Sequence, residues 1–293
     1  MENLSVADAA PARAWPPLKF VAVEASASAE PAQFAGATLL LPAVTIGNVG
    51  QLAVDLIVAT LGVPRVGYLD TELVLPIAGH GAFSPPFRVS QGLAGALSLP
   101  LELFHDERRN LLLVQQRSPV VAGGQAAWAE ALVAWAKEAG AARLLVLGSA
   151  PAHHRRDAQI QDGMLRAVPN ACWAEALDPR LCLALEEELR VASDSRGSTG
   201  AAWRPRASSA LMVGASQAAA LPCLALIHFC AEGNNAADAL HMAEALRRSG
   251  TLAVSGEAEG GEGGAGGEQP PIQWVPPECW AQMEGSRPDG SIY

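Results

Sequence analysis

Short apolar runs and helical periods alternate along the chain, and their order predicts an α/β architecture. Thr38 to Leu41 is an apolar run closed by Pro42 and reads as a strand. After it, Val49, Leu52, Ala53, Leu56 and Ile57 fall on one helical stripe; Gly62 stands where a left-handed C-cap is needed, and Pro64 stops any continuation. Val66 to Leu69, Leu73 to Leu75, Leu97 to Phe104 and Leu111 to Gln115 read as strands, the last two as an antiparallel hairpin at one side of the sheet. A helix from about Gln125 to Ala139 carries Trp128, Ala131, Leu132, Trp135 and Ala139 on one face, stops at Gly140 and feeds a buried strand over Arg143 to Leu147. Later helices are expected over Pro179 to Val191, Ala218 to Ala231 and Ala236 to Arg248, the last capped by Asn234 or Asn235 with Gly250 beyond its end. Strands separated by such helices favour crossover units, so the expected class is α/β with a mostly parallel, helix-covered sheet.

The ends follow a different pattern. Residues 1–17 are rich in Ala and Pro and read as a flexible tail before an α/β domain over 18–255. The Gly/Glu-rich stretch 256–271 has too few apolar groups to offset its ordering entropy and reads as a flexible linker. Beyond it, residues 272–293 carry Trp274 and Trp280, and large indole surfaces in such a segment favour packing back onto the domain.

Charge narrows the partners. Acidic residues outnumber basic ones by 30 to 20 with no Lys/Arg stripe, so the counterion-release term of phosphate-backbone binding is missing and no nucleic-acid partner is expected. The N-terminus lacks a basic start and an apolar core, so no secretory signal is expected. The most hydrophobic stretch, Ala218 to Ala231, contains Pro222 and His228 and falls short of the roughly 20 residues of a membrane span. Cys172, Cys182, Cys223, Cys230 and Cys279 form an odd set without paired spacing, which points to reduced thiols in a cytoplasmic protein and to no metal site.

Three stretches invite a chemical reading. In LLLPAVTIGNVGQLAVDL, Gly47 and Gly50 match the last two glycines of a dinucleotide-binding G-x-G-x-x-G, with Asp70 about 20 residues on, which makes a nucleotide-binding oxidoreductase the alternative function. Thr45 replaces the first glycine, and the plainer reading is a strand-to-helix turn with Asn48 as N-cap. Gly214-Ala215-Ser216-Gln217-Ala218 approaches a nucleophile elbow behind the apolar run Leu211 to Val213. However, Asp238 and His241 share one helix and cannot approach each other as a triad requires, so Ser216 reads as a turn residue. His153, His154, Arg155, Arg156 and Asp157 follow the strand Arg143 to Leu147 and read as a solvated loop or a partner contact, while His80, His105 and His228 read as isolated histidines. No cofactor is expected.

The stretch from Leu39 to Phe83 resembles the proteasome assembly chaperone 2 family, with the strand, the turn Gly47, Asn48, Val49, Gly50, Gln51, the Asp55-Leu56 helix and Gly67-Tyr68. Similarity continues through QQRSP at 115–119, WAKEAGAARLLVLGSA at 135–150, the His154 to Asp157 loop and FCAEGNNAADAL at 229–240. The resemblance implies an α/β domain shaped like nucleoside phosphorylases without their active site, with no enzymatic activity. It also implies a heterodimer with a proteasome assembly chaperone 1-like protein that holds alpha-type proteasome subunits, in the cytoplasm and also the nucleus. The family docks with a C-terminal tail of hydrophobic-Tyr-any residue, and Ile292-Tyr293 resembles it with tyrosine last instead of penultimate.

Overall fold

The computed structural model describes residues 15–23, 34–83, 97–155, 163–175, 208–254 and 271–282. The strands are β1 (Lys19–Ala22), β2 (Thr38–Pro42), β3 (Arg65–Asp70), β4 (Gly79–His80), β5 (Leu97–Ser98), β6 (Leu101–Asp106), β7 (Leu111–Gln116), β8 (Arg143–Pro151), β9 (Leu165–Pro169) and β10 (Cys223–Cys230). The helices are α1 (Val49–Leu61), α2 (Gln125–Glu138), α3 (Ala171–Glu175), α4 (Ser208–Ala218) and α5 (Ala236–Arg248).

Eight strands form one mixed sheet in the order β1-β3-β6-β7-β2-β8-β10-β9. The α/β class is as the sequence predicts, but parallel pairing is confined to the four central strands β7, β2, β8 and β10, with antiparallel strands on both sides. One face carries Leu39, Leu41, Leu112, Val114, Leu144 and Val146 into a core completed by Trp128, Leu132 and Trp135 of α2 and Met212 of α4. The opposite face carries Leu40, Leu113, Leu145, Leu147, Leu224 and Leu226 against α1 and α5. Because both faces are covered, the central strands carry near-continuous apolar runs, Leu39–Leu41, Leu111–Val114, Leu144–Leu147 and Cys223–Ile227, the signature of a buried parallel sheet.

That double burial explains the main correction. The run Ala218 to Ala231, expected as a helix, is instead the end of α4, a turn at Ala219–Pro222 and the strand β10, all eight residues of which are buried. An apolar run with no polar face has no period to read, so length and neighbours decide, and β10 fits between β8 and β9. Leu211 to Val213, the apolar run before the elbow-like Gly214-Ala215-Ser216, lies inside α4, and Ser216 is a fully buried helical residue and not a turn residue.

Smaller differences have local causes. Leu73 to Leu75 is not a strand, since only an isolated bridge joins Val74 to Val120. Leu97 to Phe104 breaks before Leu101, at Pro100, into β5, which pairs with β4 in a separate ribbon, and β6 of the main sheet. The expected β6–β7 hairpin forms in antiparallel register, with Phe104 opposite Leu113. The edge strands β1 and β9 are additions to the strands expected from the sequence. Helices α1, α2 and α5 fall where the periodicity puts them, and Gly62 adopts the left-handed cap at φ 62°. The helix expected over Pro179 to Val191, the tail 1–14 and most of the linker, 256–270, lie outside the described residues. No described helix is long and apolar enough to cross a membrane.

Candidate functional site at the carboxyl edge of the sheet

The parallel strands β2, β7, β8 and β10 end at one edge, the place where α/β proteins bind ligands. Here that edge is closed by the turn leaving β2. Gly47 takes φ 67° and Asn48 φ 53°, so two successive left-handed residues swing the chain into α1. Asn48 occupies the N-cap position, but its side chain makes no capping hydrogen bond, which corrects the role expected of it: its left-handed backbone replaces the extended conformation that capping needs. Gly47 is required twice over, because a Cβ there would lie 2.4 Å from Asn235 Nδ2. At Gly50 the first turn of α1 runs against the β8 backbone at Leu147.

The stretches that carry the resemblance meet around this turn. Thr45 Oγ1 accepts from the Ser149 N–H at 2.9 Å and pairs with Ser149 Oγ at 2.8 Å, and Ser149 Oγ donates to the Ile46 carbonyl. From the far side, Asn235 Nδ2 donates to the Gly47 carbonyl at 3.3 Å and the Cys230 thiol to the Ile46 carbonyl at 3.6 Å. Gln51 Nε2 donates to the Gln116 carbonyl at 3.3 Å, while Gln115 Nε2 donates to the Gln51 carbonyl at 2.8 Å.

One helical turn deeper, Arg117 donates through Nη1 and Nη2 to both oxygens of Asp55 (3.0 and 2.9 Å) and through Nε to Glu102 Oε2 (2.7 Å). Arg65 closes the chain on Glu102 Oε1 at 2.8 Å. Glu102 is 1% exposed, so this is a buried run of alternating charge with a planar fork matched to a carboxylate at its centre. Burial opposes the charge on Arg117, yet Asp55 and Glu102 together raise its pKa above the ordinary value, and it stays protonated.

The dinucleotide reading does not survive this geometry. Asp70 ends β3, which is separated from β2 by β6 and β7, so it lies about three strand spacings, roughly 14 Å, from the turn it would have to serve. The side chain of Thr45 fills the crevice between β2 and β8 where the first glycine would leave room.

His228 is not isolated. Alternation along β10 turns it toward α5, where its Nε2 lies 3.0 Å from His241 Nδ1 and its Nδ1 3.9 Å from Asp238 Oδ1. Desolvation lowers its pKa, with Asp238 opposing and His241 adding to the shift. The one signal in the sequence was Asp238 and His241 a helical turn apart; their facing partner came from another strand. Among the described residues no group of three or more His, Cys, Asp or Glu is placed to hold a metal ion.

His154 ends a short turn after β8, and Arg155 follows it, with Nη1 3.1 Å from Met164 Sδ. Arg156 and Asp157 lie outside the described residues, as do Ile292 and Tyr293. Trp274 and Trp280 pack against the core beneath α1 and α5, as their indole surfaces led one to expect.

Relatives named Proteasome assembly chaperone 2 share this sequence over most of its length. That of Danio rerio is 29% identical, covering 86% of this chain and 93% of the relative. That of Homo sapiens is 30% identical over 72% and 80%, and that of Nematostella vectensis 32% identical over 71% and 87%. Among solved structures, a Thermoplasma acidophilum protein of unknown function superposes with a TM-score of 0.55 at 16% identity, covering 76% of this chain and 79% of that one. PbaA of Pyrococcus furiosus, described as an archaeal homolog of proteasome-assembly chaperone, does so with a TM-score of 0.52 at 16% identity, covering 83% and 89%. These likenesses establish a shared fold. The PAC2 family matches residues 39–241, a span that holds the turn, the Arg117 network and the histidine pair, and the chain belongs to that family.

Proposed function

We propose that this chain is a proteasome assembly chaperone that works by contact and performs no chemistry of its own. What carries the reading is the match to relatives named Proteasome assembly chaperone 2 across most of both chains. The geometry is consistent with it: Thr45, Ser149, Asn235, Gln115 and Arg117 are engaged in holding segments of this chain together at the edge where a ligand would otherwise sit.

In this reading the chain pairs with a proteasome assembly chaperone 1-like protein, and the pair holds alpha-type proteasome subunits while their ring forms, in the cytoplasm and the nucleus. The loop His154, Arg155, Arg156, Asp157 is a partner contact. Ile292 and Tyr293 form a docking tail whose terminal carboxylate enters a pocket between alpha subunits, a charge-assisted contact.

Affinity purification of the full chain tests the reading. The expected result is recovery of a paralogous chaperone and alpha-type subunits; a homo-oligomer with bound nucleotide overturns it. Deleting Ile292 and Tyr293 should weaken binding to assembled alpha rings and leave the paired chaperone bound, and equal ring affinity removes the tail from the mechanism.

A further inference from the structure

Residues 271–282 follow the Gly/Glu-rich stretch and cross three elements in turn. The Trp274 indole N–H donates to Glu244 Oε2 on α5 at 3.2 Å. One residue on, the Val275 N–H donates to Thr60 Oγ1 on α1 at 3.0 Å, and the Thr60 hydroxyl faces the Val275 carbonyl at 3.4 Å. The Cys279 N–H then reaches the Ala82 carbonyl at 3.3 Å, inside the single 3-10 turn Glu278–Gln282.

Glu244 is itself fixed in place. Arg247 donates to both of its oxygens at 2.7 and 2.8 Å, and Arg248 adds a bond at 3.3 Å. The hydrogen bonds from Arg247, against some desolvation and with help from Trp274, hold its carboxyl down to about 2, so it offers Trp274 a charged acceptor at every physiological pH. Chain ends are ordered only where they are tied down, and this segment is tied at α5, at α1 and at the 81–83 turn. Val275 is 51% exposed, so the attachment lies on the surface of the core and not within it.

We propose that residues 271–282 are a strap that fixes the root of the docking tail, with Trp274 and Thr60 as positioning residues; this rests on the tail reading given above. With the strap on, the tail has its root at Gln282, held on the core. With it off, that root is no longer fixed to α5 and α1. A linked end meets its pocket at an effective concentration set by how its root is held, so releasing the strap lowers ring affinity several-fold without touching a ring contact.

The test uses the full chain paired with its partner chaperone, as wild type, Trp274→Ala, Thr60→Val and the Ile292–Tyr293 deletion. Two quantities are read: amide exchange over residues 271–282, and affinity for assembled alpha rings. The expected result is faster exchange confined to the strap in both point variants, a several-fold loss of ring affinity, and unchanged affinity for the partner chaperone. Trp274→Phe, which keeps ring packing and loses the N–H, should fall between wild type and Trp274→Ala. Faster strap exchange with wild-type ring affinity, in a protein whose tail deletion does weaken ring binding, overturns the strap while leaving the tail reading intact. Unchanged exchange in both point variants overturns it as well, because these contacts then do not hold the segment. An inert tail deletion overturns the tail reading itself, and the strap's role with it.

Discussion

A Cβ built on Gly50 would stand 2.3 Å from the carbonyl oxygen of Leu147. Gly50 lies in the first turn of α1 and has no positive φ, so glycine is needed there for the close approach of α1 to β8, not for an unusual backbone conformation. Gly62 is the opposite case, with φ 62° and open space around it. Gly50→Ala should therefore destabilise by about 1–3 kcal/mol or more, as overpacking between two backbones that cannot yield. Gly62→Ala should cost nearer 1 kcal/mol, from left-handed strain alone. Urea denaturation of both variants checks the order, and equal losses would mean that helix and strand separate easily.

Arg117 holds two carboxylates that water barely reaches. Replacing it with Met leaves Asp55 and Glu102 facing each other's charge, with only Arg65 remaining on Glu102, and should cost about 3–5 kcal/mol in chemical denaturation. Arg117→Lys should recover only part of this, since an ammonium cannot serve Asp55 bidentately and Glu102 at once. Full recovery by Lys would show that charge alone matters at this site.

Thr45 and Ser149 staple β2 to β8 across the carboxyl edge. Ser149→Ala should lose about 1–2 kcal/mol, because the Ile46 carbonyl loses its hydroxyl donor, keeping only the weaker Cys230 thiol, and Thr45 Oγ1 loses its hydroxyl partner, in a site only 8% exposed. A double-mutant cycle with Thr45→Val should show a coupling energy of about 0.5–1.5 kcal/mol. Additive losses would mean that the two hydroxyls act independently.

Stability should fall as pH drops below neutrality. Desolvation holds the folded-state pKa values of His228 and His105 below their ordinary 6.5, with Asp238 opposing at His228 and Glu107 and Asp106 opposing at His105. The unfolded chain therefore binds more protons than the folded one just below pH 6.5, so the stabilisation is complete above that pH and is lost as pH falls toward the folded values. Each histidine can contribute a slope of up to about 1.4 kcal/mol per pH unit. His228→Gln should flatten the dependence between pH 5 and 7, leaving the part due to His105; an unchanged slope would assign the effect elsewhere.

Much of the helical layer was legible along the chain. Helix α1 is capped by Gly62 and α2 leads to Gly140, each announced by a one-sided apolar stripe and a stop residue, while α5, Ala236–Arg248, was announced by Asn234 or Asn235 before it and Gly250 after it. Those signals are local, because a helix with one face in water must repeat every 3.6 residues. The PAC2 membership was also carried by sequence, in an ordered series of motifs from Leu39 to Leu240.

Tertiary structure decided what had no period or no local partner. Residues 223–230 are buried on both sides and apolar apart from His228, so only their place between β8 and β9 makes them a strand and not a helix. Arg117 meets Asp55 from 62 residues away, and His228 meets His241 across two elements, because sheet order brings them together and no single segment encodes that order. Gly50 could be read as a glycine of a turn, but its reason lies in Leu147, on a strand nearly a hundred residues on. Local periodicity records which side of a segment faces water, whereas these contacts depend on which segments become neighbours, and that is fixed only when both faces of the sheet are buried at once.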